Sequence, residues 1–135
     1  MRAARVRDQD ACPCGGGRTF GGCCAPFLGG EIPTTAEQLM RSRYSAFVVG
    51  DDAYLRDTWH PGTRPAELVL DPQQRWTALE VVDTAAGAEG DRRGVVEFRA
   101  HWREGGARGV LHERSRFVHQ SARWWYLDGE IRPDA

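Results

Sequence analysis

Lysine is absent: all 18 basic residues are arginine. Schiff-base chemistry and lysine nucleophiles are thereby excluded. An arginine-only chain rich in alanine and glycine is the ordinary product of a GC-rich genome and does not by itself indicate a phosphate site. Long apolar runs are also lacking, and none approaches the roughly 20 residues of a membrane-spanning helix, so no membrane association is expected. The segment Met1 to Asp10 is polar and has no apolar signal core. A cytoplasmic, reducing environment is the expectation. Nor is there an excess of positive charge. The formal net charge is −1, whereas a nucleic-acid footprint needs a strongly basic face. Arg2, Arg5, Arg7 and Arg18 would be the residues of such a footprint, and they read as a solvated end.

What is present suits one ordinary domain with a small appendage. The chain has 135 residues, 41% hydrophobic and 27% charged, enough to bury a core. Five tryptophans are many for this length and point to a core or a cavity wall.

The four cysteines fall within thirteen residues, as Cys12-Pro13-Cys14 and, after a glycine-rich turn, Cys23-Cys24. Four sulfurs so spaced suit a tetrahedral Zn²⁺ with no open position, which makes the site structural and not hydrolytic. The glycines permit the sharp turns, and their N–H groups can point at sulfur. Disulfides are the alternative, disfavoured in a reducing compartment and strained between adjacent residues. Four free thiols and an iron–sulfur cluster fit the density and the spacing less well. Phe20 is expected to pack this knuckle against a larger body.

Residues 25–33 read as a Pro/Gly linker. Thr34 and Glu37 then predict a capping box. The helix after it carries Leu39, Met40, Tyr44, Phe47 and Val48 at helical spacing and stops at Gly50. Arg43 sits at the edge of that apolar face. Asp51 caps a second short helix bearing Tyr54, Leu55, Thr58 and Trp59, which ends at His60-Pro61-Gly62, and residues 66–70 suggest one more helical turn.

Beyond Pro72 the period becomes two. Residues 75–85 form one strand, and Val96, Phe98, Ala100 and Trp102 mark the apolar face of the next. Gly105-Gly106 makes a tight hairpin. Pairing Glu104 with Ala107 sets Phe98 opposite Glu113, Val96 opposite Ser115, and Glu97 opposite Arg114 on the wet side. Glu113 and Ser115 thus fall on the apolar face. A second hairpin at Ser121-Ala122 sets Phe117 opposite Tyr126 and Ser115 opposite Asp128. His101, His112 and His119 read as surface residues. Trp124 and Trp125, being adjacent in a strand, must face opposite sides. Helices followed by a four-stranded antiparallel meander make an α+β domain.

Two resemblances rest on these residues. Cys12, Cys14, Cys23 and Cys24 resemble the SEC-C motif, with Gly16 where that motif usually has serine. Met40-Arg41-Ser42-Arg43-Tyr44, Thr58-Trp59-His60-Pro61, Glu113-Arg114-Ser115-Arg116-Phe117 and Trp125-Tyr126 with Asp128-Gly129 are similar to the signature segments of the YchJ-like proteins. The resemblance implies a SEC-C zinc knuckle and linker over residues 1–30. It implies a nuclear-transport-factor-2-like cone over residues 31–135, with helices packed on a curved four-stranded meander. It carries no established activity. Some relatives have a second, C-terminal knuckle; none is found up to Ala135, so a role needing two is not expected.

The candidate pocket of such a cone is Arg43, Tyr44, Trp59, His60, Glu113, Ser115, Tyr126 and Asp128. Arg43 is expected to pair with Glu113 or Asp128 and fix the helix on the sheet. The function expected is a binding or adaptor module, with a protein partner on the knuckle and an unidentified small ligand in the cone. An isomerase- or dehydratase-like enzyme using the carboxylates and tyrosines is the alternative, and an RNA- or ribosome-associated factor the weaker one. An enclosed pocket with Glu113 or Asp128 lacking an arginine partner would favour the enzyme; a filled cone with Arg43 locked to a carboxylate would favour the scaffold.

Overall fold

The computed structural model describes residues 5–133, so Arg2 lies outside the described residues. Three helices, α1 (Ala25–Leu28), α2 (Ala36–Val49) and α3 (Asp52–Asp57), precede four strands, β1 (Arg75–Ala86), β2 (Arg93–Glu104), β3 (Ala107–Gln120) and β4 (Arg123–Ile131). The strands form one antiparallel sheet in the order β1-β2-β3-β4.

Helix α2 starts one residue later than the capping box Thr34/Glu37 predicts. Thr35 is extended, and its hydroxyl accepts from the Gln38 N–H at 3.1 Å. Gln38 reaches back to accept from the Thr34 N–H at 2.8 Å. The box is therefore Thr35/Gln38, and Glu37 is free to pair with Arg41 at 2.9 Å. Gly50, at φ 78°, closes the helix in the left-handed conformation that glycine adopts without strain. Asp51 caps α3 by accepting from the Tyr54 N–H. Residues 66–70 form no helix. Six residues between Pro65 and Pro72 cannot nucleate one without packing, and Val69 is left 78% exposed.

The β2–β3 hairpin has the register set by its turn: Phe98 faces Glu113, Val96 faces Ser115, and Glu97 faces Arg114. In β3–β4, Phe117 faces Tyr126, but the register shifts between Phe117 and Arg116. Leu127 is the extra residue of a bulge, so Asp128 pairs with Arg116 and Ser115 with Gly129. The outer face of the sheet holds His112, which is not a surface residue. It is buried, with Nε2 2.7 Å from Glu97 Oε2, and Arg114 bridges Glu97 and Asp83 around it.

One core joins the whole. Leu39, Met40, Tyr44 and Val48 of α2 pack on Val96, Phe98, Ala100, Phe117 and Trp124 of the sheet. Cys12, Cys14, Phe20 and Cys24 are contiguous with it. Trp124 faces inward and donates its indole N–H to the Thr34 carbonyl, whereas Trp125 lies outside under Arg123.

Candidate metal centre and cone pocket

The knuckle is built from turns. Cys12 N–H donates to the Arg18 carbonyl and Gly15 N–H to the Cys12 carbonyl, folding the loop back as Ala11 bridges Thr19. A 3-10 turn at Phe20–Gly22 then delivers Cys23 and Cys24 to the start of α1. All four Sγ atoms lie within 4.8 Å of one another. The Cys14–Cys23 separation is 3.6 Å and the Cys23–Cys24 separation 4.0 Å. A tetrahedral zinc with bonds near 2.3 Å needs edges of about 3.8 Å, and a disulfide needs about 2.05 Å. The donor set therefore suits a metal ion, and the four thiols are unbridged.

The electrostatics agree. Hydrogen bonds from Cys14 and Cys24 hold the Cys12 thiol far below its usual range. Burial pushes Cys23 up to about 12, and hydrogen bonding to Cys12 and Cys14 raises Cys24. Sulfurs this close share protons unless a cation replaces them.

Helix α2 holds the knuckle from behind. Arg41 Nη1 donates to the Cys14 carbonyl at 2.6 Å. Ser45 Oγ lies 3.7 Å from Cys12 Sγ, so a hydroxyl approaches the sulfurs from the helix. A Cβ on Gly16 would sit 3.3 Å from Cys14 Sγ, which places the motif's usual serine against the same cluster. Arg41 and Ser45 were legible only as an i, i+4 pair on the helix; nothing local says they meet cysteines.

The cone encloses a cavity of about 170 Å³. Its walls are mostly apolar, including Phe47, Trp76, Phe98 and Leu111, with Arg43, Tyr44, Trp59, Glu113, Ser115 and Tyr126 at its polar part. A larger, open groove outside it, between α2 and residues 68–77, shares Phe47 and Trp76. Glu113 Oε2 accepts from Ser115 Oγ at 2.6 Å and from Tyr126 Oη at 3.0 Å. Burial, then the Glu113 charge, push the Tyr126 phenol up, so it stays a donor.

Among the described residues Arg43 pairs with no carboxylate. Its Nη1 donates to the Leu55 carbonyl at 2.8 Å and to Thr58 Oγ1 at 2.6 Å, tying α2 to the end of α3. Its guanidinium stacks on Tyr126 at 4.5 Å and Trp59 at 5.4 Å. Glu113 acts on the guanidinium only through space, from beyond ion-pair distance.

Two further expectations are corrected. Asp128 is outside the cone, bound through both oxygens to Arg116, because the bulge at Leu127 reverses its facing. His60 is outside too. Its N–H bonds the Tyr126 carbonyl, its Nδ1 accepts from Gly62 N–H, and its Nε2 meets Gln120. The strand-like run Thr58–His60 is thereby pinned to β4 and turns the imidazole to the surface.

Gly129, opposite Ser115, is a site residue that only the structure explains. A Cβ there would collide with the Glu113 carboxylate. Gly129→Ala is expected to expel that carboxylate from Ser115 and Tyr126, costing about 1–3 kcal/mol as charged hydrogen bonds are lost. Urea denaturation checks it; a midpoint equal to wild type would refute this packing.

Residues 35–129 match the family described as "YchJ, middle NTF2-like domain". The chain belongs to the YchJ-like family. A UPF0225 protein of Streptomyces coelicolor is 54% identical over 121 residues, covering 89% of this chain and 94% of that one. One from Chromobacterium violaceum is 48% identical over 133 residues, covering 95% and 98%. The solution structure of a SEC-C motif containing protein from Rhodopseudomonas palustris superposes with a TM-score of 0.78 at 32% identity, over 90% of this chain and 98% of that one. The crystal structure of a SEC-C motif containing protein from Psychrobacter arcticus gives 0.75 at 27% identity, over 95% and 86%. The YchJ-like resemblance and the α+β cone it implied both hold. No helix among the described residues is long and apolar enough to cross a membrane.

Proposed function

We propose that this YchJ-like protein is a zinc-stabilised small-ligand-binding module. Cys12, Cys14, Cys23 and Cys24 would hold the zinc, whose role is to clamp the knuckle onto α2 and so brace one wall of the cone. The observation that carries the reading is Glu113 beside a cavity of about 170 Å³, with hydrogen bonds from Ser115 and Tyr126 but no arginine partner among the described residues. A carboxylate held that way, in a mostly apolar wall, is suited to meet a ligand. Benzene occupies an engineered apolar cavity of about 150 Å³, which sets the size of ligand body to expect.

Benzyl alcohol is therefore expected to bind and to perturb tryptophan fluorescence through Trp59 and Trp76, which line the cavity. Ala100→Leu, which fills the same space, is expected to abolish the response. Wild-type fluorescence unmoved by the alcohol, or a response that survives the filling variant, defeats the reading.

The enzyme reading keeps one supporting observation. Glu113 spends its hydrogen bonds on one oxygen, leaving Oε1 for a substrate proton, with Tyr126 as donor beside it. The adaptor role attaches to the exposed loop of the knuckle at residues 15–19.

A further inference from the structure

We propose, on the basis of that ligand-pocket reading, that the cone selects a small carboxylate: Arg43 receives the ligand's carboxylate, Glu113 a hydrogen-bond donor at its other end. Arg43 is only 6% exposed, yet no carboxylate lies within ion-pair distance among the described residues. Both of its protein hydrogen bonds come from Nη1, so Nε and Nη2 meet no acceptor among the described residues. Arg43 is also part of the cavity wall. Glu113 acts on this buried charge only from beyond ion-pair distance, so most of its desolvation penalty stands. Burial lowers the guanidinium only to about 10, so it stays cationic at neutral pH. An incoming anion relieves that penalty.

The same wall holds a second unsatisfied donor. Trp59 Nε1 is buried with no acceptor among the described residues. Orphaned polar groups of this kind in native folds are commonly met by a water or ligand that occupies the site.

The ligand class follows from geometry and charge. A planar guanidinium with two free N–H directions matches a planar carboxylate, which accepts two parallel bonds. The apolar walls disfavour a strongly hydrated dianion such as phosphate. Glu113 disfavours a second negative charge for the same reason and rewards a hydroxyl or amine. Arg43 stacks on the Tyr126 ring and Glu113 is held at that ring's hydroxyl, so the Tyr126 side chain spaces the two charges along the wall without letting them touch.

4-Hydroxybenzoate and its neutral analogue 4-hydroxybenzamide test this by fluorescence titration of the intact protein. The acid is expected to bind at least tenfold more tightly than the amide, and Ala100→Leu to remove both. Arg43→Met is expected to erase the preference while leaving the amide's affinity within about threefold. Should Arg43→Met fail to fold, Arg43→Lys keeps the charge without the fork, and a preference reduced at least threefold is expected. Equal affinity of acid and amide for the wild-type protein overturns the carboxylate assignment and leaves the pocket standing. No binding of either compound or of benzyl alcohol overturns the pocket as well. A full preference retained by Arg43→Met or Arg43→Lys overturns the role of Arg43.

Discussion

Treating the native protein with a strong chelator, which would withdraw the proposed zinc, is expected to lower its melting temperature by about 15 °C or more. Four thiolates inside a shared core cannot remain packed at 3.6–4.0 Å without a cation or added protons. The loss is not confined to the knuckle, because Cys12, Cys14 and Cys24 belong to the same buried cluster as Leu39 and Phe98. Structural zinc contributes about 10–16 kcal/mol in isolated zinc-finger peptides. Only part of that should appear here, since the sheet has its own core. About 4 kcal/mol is a conservative share, and a domain of this size shifts by about 3–5 °C per kcal/mol. Elemental analysis of protein purified without added metal should find about one zinc per chain, with the thiols protected from alkylation until chelation. A native sample without metal, whose melting is indifferent to chelator, would remove the zinc assignment.

Gly94→Ala is expected to destabilise the fold by about 3 kcal/mol, near the top of the range for overpacking. Its Cβ would fall 2.6 Å from the Gly87 Cα and 2.9 Å from the Ala36 Cβ. No long side chain is there to swing aside. The same place joins α2 to the sheet, because Ala36 N–H donates to the Gly87 carbonyl at 2.9 Å. Any shift moves the first turn of α2 off the β1–β2 corner and widens the cone. A melting temperature about 10 °C lower is the expected readout; a value within 2 °C of wild type would show that the helix does not pack there as tightly as the geometry demands.

How far the sequence could be read depended on the range of the forces involved. Helix α2 was legible because its apolar spacing and its terminal glycine are local. Its cap was missed by one residue because both Thr34 and Thr35 are suitable caps and only the chain's approach angle selects Thr35. The β2–β3 register followed from a two-residue turn at Gly105-Gly106, which leaves little freedom. The β3–β4 register did not follow. The bulge at Leu127 answers to the closing of the cone, and one extra residue was enough to carry Asp128 to the opposite face.

The sequence alone determined that four sulfurs converge, that a capped helix precedes an antiparallel meander, and that Glu113 and Ser115 share the apolar face. Each follows from spacing along the chain, where covalent geometry sets the distances. Tertiary structure decided which charges find each other. Arg43 turned to Leu55, Thr58 and Tyr126 and away from Glu113, Asp128 left the cone for Arg116, and Ser45 arrived beside Cys12 from 33 residues away. Side-chain partners across elements depend on twist, bulges and the angle at which a helix lies on a sheet, and no local pattern encodes those.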